Sequence, residues 1–126
     1  MKKWMIPILA LSALLVACTA APAQLDARAG KGHVFKTTAG QQFAIRLNDN
    51  PSTGYEWQRE FDSAMLVLQA AEFEPADPSG SRVGAGGTAT LRFKALKAGQ
   101  TVVRLTYRRP WEQEVADERV ITVSID

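Results

Sequence analysis

From residue 33 onward the chain breaks into short runs in which apolar and polar positions alternate with period two, bounded by Gly, Pro, Asn and Asp. Such alternation marks strands that bury one face. The clearest run is 41–48, with Phe43, Ile45 and Leu47 on one side and Gln42, Ala44 and Arg46 on the other. Runs at 33–38, 55–60, 65–73, 88–96, 101–108 and 118–125 follow the same logic; 55–60 places Tyr55 and Trp57 together, and 118–125 supplies Val120, Ile121, Val123 and Ile125. The 65–73 run is apolar enough that a kink or a helical turn is expected in it. Lys97-Ala98-Gly99-Gln100 reads as a hairpin connection. No 12-residue window carries a 3.6-residue pattern. The expectation is an all-β domain, an immunoglobulin-like antiparallel β-sandwich of about seven strands, with a closed barrel as the structural alternative.

The N-terminal part follows a different rule. Lys2 and Lys3 precede an apolar stretch from Trp4 to Ala17, interrupted only by Pro7 and Ser12. That is a basic n-region and an h-region of about 14 residues, short of the ~20 a membrane-spanning helix needs. Residues 1–17 are therefore expected to be a signal peptide. The stretch ends in Leu15-Val16-Ala17-Cys18, which resembles the lipobox of bacterial lipoproteins. The resemblance implies cleavage before Cys18, acylation of its thiol and new amine, and attachment to a bacterial membrane. Thr19, rather than Asp, after the cysteine points by the same sorting pattern to the outer membrane. An ordinary cleaved signal with a chance cysteine is the competing reading. Residues 18–32, rich in Ala, Gly and Gln, are expected to form the lipidated Cys and a flexible tether, leaving 33–126 as the folded domain.

Composition narrows the function classes. In 126 residues, 46% apolar and 22% charged, one globular domain is the default. The formal charge of +2 comes from 15 Lys+Arg against 13 Asp+Glu, and Lys2 and Lys3 lie in the signal. The chain beyond the signal is neutral, so nucleic acid is not an expected partner. One Cys permits no internal disulfide, and one His, His33, lies far from any orienting carboxylate pair. Glu72 with Glu74, and Glu112 with Glu114, have strand spacing but read as solvated faces. No catalytic residue, metal site or cofactor is expected, and the domain is expected to work as a monomer.

If successive strands run up and down, three connections share one end, and their chemistry is unusual. The first is Asn50-Pro51-Ser52-Thr53-Gly54, rigid at Pro51, free to take positive φ at Gly54, with two hydroxyls at its tip. The second runs from 75 to 87 and ends Gly84-Ala85-Gly86-Gly87, where another molecule can approach the backbone. The third is Arg109-Pro110-Trp111, carrying two residue types enriched among binding hot spots. Trp57 reads as core, and Tyr55 as packed beneath the first loop.

Together these loops resemble those of the chagasin-type inhibitors of papain-like cysteine peptidases. That family is marked by Asn-Pro-Thr-Thr-Gly-Tyr/Phe, Gly-x-Gly-Gly and Arg-Pro-Trp/Phe, in that order. Here they stand as Asn50-Pro51-Ser52-Thr53-Gly54-Tyr55, Gly84-Ala85-Gly86-Gly87 and Arg109-Pro110-Trp111, with Ser52 in place of the family's first Thr. The resemblance implies a reversible, competitive inhibitor. The 50–55 loop would enter the active-site cleft with Asn50, Ser52 and Thr53 near the catalytic Cys and His. The 84–87 loop would pair by its backbone along the substrate subsites, and Arg109 and Trp111 would grip the other flank. The alternative from another class is an envelope-anchored immunoglobulin-like module that binds a glycan or an envelope protein through the same pole.

Overall fold

A computed structural model describes residues 23–81 and 84–126. The expected signal peptide and Cys18 lie outside the described residues. Eight strands follow in order: β1 (Ala23–Asp26), β2 (Gly32–Thr37), β3 (Gln42–Asp49), β4 (Glu56–Glu60), β5 (Leu66–Pro75), β6 (Gly87–Ala95), β7 (Gly99–Arg108) and β8 (Asp117–Ile125), with one 3-10 turn at Pro51–Thr53. They form two four-stranded sheets, ordered β1-β3-β6-β5 and β2-β8-β7-β4. Two sheets with separate edges make a sandwich and exclude the barrel.

The alternation seen along the chain is what joins the sheets. Phe43, Ile45 and Leu47 of β3 and Leu91 and Phe93 of β6 face Val103 and Leu105 of β7 and Ile121, Val123 and Ile125 of β8, all buried. Phe43 and Phe93 stack with centroids 5.7 Å apart, and Phe61 meets Phe93 edge-on at 5.2 Å. The expected kink in 65–73 is a register shift between Leu68 and Ala70 where β5 pairs with β6, a bulge that lets the edge strand bend.

Two expectations are corrected. The sandwich has eight strands, and two of its pairings are parallel, β1 with β3 and β2 with β8. The flexible tether expected over 18–32 is also too long, because Ala23–Asp26 is β1 and Ala27 is fully buried. The physical reason lies at the other end of the chain. Arg119 is 6% exposed, and its guanidinium donates to the carbonyls of Ala27 at 2.7 Å and Arg28 at 3.0 Å. It also lies over the Trp57 ring at 5.5 Å. A buried guanidinium needs acceptors, and the 27–28 backbone provides them. The N-terminal segment thus runs up one sheet as β1, crosses over, and runs down the other as β2, covering one edge of each.

Candidate functional site

The connections β3–β4, β5–β6 and β7–β8 meet at one pole, as the up-and-down reading expects. The first is a tight turn. Asn50 C=O accepts the Thr53 N–H at 3.2 Å and the Thr53 hydroxyl at 2.7 Å, while Pro51 C=O accepts the Gly54 N–H at 3.2 Å. Pro51 supplies a fixed φ at the start, and Gly54 closes the turn in the left-handed region at φ 81°. Pro51, Ser52 and Thr53 are exposed at the apex.

Asn50 is the hub of the pole. Its backbone N–H donates to the Tyr107 hydroxyl at 2.9 Å, its side-chain amide donates to Gly84 C=O at 3.0 Å, and its Oδ1 accepts the Ser52 hydroxyl at 2.6 Å. Every polar group of Asn50 is therefore spent inside the protein. The residue fixes the turn and ties it to the glycine loop; the Ser52 and Thr53 hydroxyls donate to Asn50 as well, so at the apex they offer a partner their oxygen lone pairs. The Ser52 hydroxyl makes its bond to Asn50 without a γ-methyl, so the serine preserves the internal geometry.

Beneath the turn runs a ladder of rings and guanidinium groups. Tyr107 stacks on Trp57 at 4.8 Å and lies 5.2 Å from Tyr55. Arg109 sits over Tyr55 at 4.5 Å, capping one end, and Arg119 caps the other over Trp57. The indole N–H of Trp57 donates to Asn48 C=O at 2.7 Å, at the end of the strand that leads into the turn. Flat rings and planar cations stack with little loss of rotamer freedom, which makes the support stiff. Trp57 and Tyr55 hold the core and sub-loop places read from the sequence. Arg109 has an internal role beside the outward one expected of it. Its Nε donates to Thr53 C=O at 3.0 Å and its Nη1 to Glu112 at 3.3 Å, so it braces the first loop against the third.

Trp111 is 71% exposed, yet one part of its indole leans on Gly54. A Cβ on Gly54 would stand 2.7 Å from the ring, so this glycine answers to both φ and packing. Pro110 is exposed beside it. The remaining glycines divide sharply. Gly86 has Asp49 C=O 2.8 Å from where a Cβ would be, and at Gly87 a Cβ would collide with Glu74 C=O and the Phe73 ring. Gly87 opens β6, paired with Asp49 on one side and Pro75 on the other, and Gly86 C=O accepts the Ala76 N–H at 3.0 Å. Their smallness serves strand packing. Gly84, at φ 76° with open space around its Cβ direction, and Ala85 are what the loop still has to offer a partner.

Electrostatics at the pole are mild. Burial pushes the Asp49 carboxyl up, with the Glu56 charge adding to it and hydrogen bonds from Tyr107 and Asn50 opposing. Burial also raises the Tyr107 phenol, which donates to Asp49 at 3.2 Å. His33 sits away from the pole, its Nε2 3.0 Å from Gly30 C=O. Glu72 is paired with Arg92 at 3.0 Å, and Glu112 with Arg109. Among the described residues no group of three His, Cys, Asp or Glu is placed to hold a metal. Among the described residues, the pole brings together no nucleophile with a base beside it. What it has is a preformed convex edge, a chemistry of shape and hydrogen bonding.

Tyr107, Asp49 and Arg119 were not singled out from the sequence. Tyr107 stands only two residues before Arg109-Pro110-Trp111, but it reads there as one more strand residue. Its role depends on a partner 57 positions away.

Comparison with known proteins places this edge in context. A family model described as chagasin family peptidase inhibitor I42 matches residues 36–125. Amoebiasin-2 of Entamoeba histolytica is 40% identical over 83 residues, which are 64% of this chain and 66% of that protein, so the chain spans just under two thirds of its length. Chagasin of Trypanosoma cruzi is 31% identical over 99 residues, 76% of this chain and 90% of chagasin. The crystal structure of the cysteine protease inhibitor EhICP2 from Entamoeba histolytica superposes with a TM-score of 0.71 at 29% identity, covering 82% of this chain and 95% of that one.

Proposed function

The chain belongs to the chagasin family of peptidase inhibitors, and from that premise we propose that its three-loop pole blocks the active-site cleft of papain-like cysteine peptidases, reversibly and in competition with substrate. The observation that carries this reading is the tying together of the three loops: Asn50 to Gly84, Arg109 to Thr53, and Trp111 against Gly54. They make one edge with the Pro51–Thr53 apex at its centre, the Gly84-Ala85 backbone on one side and the open face of Trp111 on the other.

The turn geometry explains why such a wedge is not cut. A peptidase attacks a carbonyl held in an extended segment and aimed at its nucleophile. At the apex the chain is a 3-10 turn, and the carbonyls of Asn50 and Pro51 face inward as acceptors. The cleft is filled without a scissile bond in attack geometry. Because the turn is already hydrogen-bonded and stacked from below, little entropy remains to be lost on binding. Trp111 supplies exposed aromatic area for a hot spot. The protein is an inhibitor and not an enzyme.

The lipobox-like Leu15-Val16-Ala17-Cys18 supports a lipid-anchored form in the bacterial envelope, on the outer membrane by the Thr19 criterion, with the domain acting as a monomer. Two or three acyl chains, at ~0.8 kcal/mol per buried CH₂, hold such a domain firmly. Titration of papain with the soluble domain from Ala23 onward tests the inhibitory reading. The expected result is stoichiometric competitive inhibition. Full peptidase activity at micromolar domain would reject it.

A further inference from the structure

The direction of β1 decides which way an anchored domain faces. β1 runs parallel to β3, with Ala23 beside Phe43 and Asp26 beside Arg46. β3 runs toward the inhibitory pole, ending at Asp49 immediately before the turn. Ala23 therefore lies at the opposite pole. That pole is built from the other three connections and the C-terminus: the Ala39 N–H donates to Asp126 C=O at 2.9 Å, Gly40 to Ala95 at 2.8 Å, and Leu96 to Met65 at 2.8 Å.

We propose that this far pole, formed by residues 38–41, 61–65 and 96–98, is the surface that faces the lipid bilayer, and that the inhibitory edge is carried on the outward side. The proposal rests on lipid attachment at Cys18. From Cys18 to Ala23 there are five Cα–Cα links, which span at most about 18 Å even when fully extended. The stretch of β3 from beside Ala23 to the turn at Asn50 measures about 23 Å at ~3.3 Å per residue. The link is shorter than the domain, so Cys18 cannot stay in the bilayer while the inhibitory edge rests on it. A tether running all the way to residue 32 would span about 50 Å and permit either orientation; the incorporation of 23–32 into the sandwich removes that freedom. At the far pole Leu96 is 44% exposed and Lys97 follows it, an apolar side chain beside a long amphipathic one of the kind an interface tolerates; the exposed Asp62 and Asp126 share that pole, so the orientation rests on the length of the link and not on charge. The consequence is functional. An inhibitor so mounted meets peptidases arriving from the aqueous side, with Trp111 kept out of the lipid.

The test uses the full acylated chain in phosphatidylethanolamine/phosphatidylglycerol vesicles containing a nitroxide-headgroup lipid. A fluorophore is attached at Lys97→Cys or at Glu114→Cys, residues of opposite poles that are both exposed. Headgroup quenching is expected to be several-fold stronger at 97 than at 114, and a 15-residue Gly/Ser spacer inserted between Pro22 and Ala23 is expected to abolish most of that contrast. Equal quenching at the two positions, stronger quenching at 114, or a contrast unchanged by the spacer would overturn the orientation. Membrane retention of the parent chain and of Cys18→Ser is measured alongside. If the parent stays soluble, or the serine variant stays bound, the anchor at Cys18 is wrong and the orientation falls with it; if the parent is retained through Cys18 and the contrast is absent, only the orientation fails.

Discussion

The backbone N–H of Asn50 donates to the hydroxyl of Tyr107 at 2.9 Å, joining the inhibitory turn to a strand of the opposite sheet. Tyr107 in turn donates to Asp49 and stacks on Trp57. One phenol thus holds the start of the wedge, and this link sets the wedge's angle on the sandwich.

Tyr107→Phe keeps the ring stack and removes the acceptor. The half-buried Asn50 N–H loses its partner, costing about 1 kcal/mol in stability. The turn also regains motion that binding must then freeze, worth about 1–2 kcal/mol, or roughly tenfold in affinity. Thermal denaturation and the dissociation rate from papain check both. An unchanged dissociation rate would show that the turn keeps its angle without the phenol.

Gly54→Ala is expected to destabilise by two separable causes. The left-handed φ of 81° costs a non-glycine residue roughly 1–2 kcal/mol, and the new methyl meets the Trp111 ring. Trp111→Ala relieves the second cause alone. A double-mutant cycle should therefore give a stability loss for the pair smaller than the sum. Trp111→Ala by itself should weaken inhibition by about 2 kcal/mol, near 30-fold, with little change in thermal stability, given its exposure.

The two kinds of glycine in the second loop should part company. Gly87→Ala pushes a methyl into Glu74 and Phe73 and is expected to cost about 1–3 kcal/mol by forcing apart a packed strand pair. Gly84→Ala has open space and only φ to contend with, about 1–2 kcal/mol, and its effect should fall chiefly on inhibition. Urea denaturation with inhibition titrations separates them; a loss of inhibition at Gly84→Ala no larger than that at Gly87→Ala would contradict the division.

Asp49 and the surface carboxylates pull stability in opposite directions with pH. The raised Asp49 carboxyl binds its proton more readily in the folded state, so its stabilising contribution is full below the ordinary carboxylate range and is lost as pH rises through its folded value. Asp49→Asn should therefore raise the melting temperature at pH 7 and lose that advantage near pH 3. Hydrogen bonds from Arg28 hold Asp26 low, and those from Arg92 hold Glu72 low. At Asp117, burial pushes upward but is outweighed by the hydrogen bonds from Arg119 and the Glu118 N–H and by the Arg119 and Lys31 charges. These three contribute stability above the ordinary carboxylate range and lose it on acidification. Melting curves from pH 3 to 7 are expected to rise with pH overall, with the rise steeper in Asp49→Asn.

Much of this protein was legible in the order of its residues. Period-two runs such as 41–48 identify strands because a strand places successive side chains on opposite faces, and a sandwich buries one of them. The three loop motifs are contiguous, so their residues could be read in place. Tertiary structure decided what depends on distant partners. β1 is a strand because β3 pairs with it, and Arg119, 92 positions from Ala27, holds the chain just after it by the Ala27 carbonyl; nothing between residues 23 and 27 announces either. Asn50 and Arg109, expected to face the peptidase, also hold the pole together through Tyr107, Gly84, Thr53 and Tyr55. Gly86 and Gly87, read as room for a ligand, are room for the protein's own strands. A motif records which side chains stand at a site, whereas the direction in which each spends its hydrogen bonds is set by chain brought alongside from elsewhere in the fold.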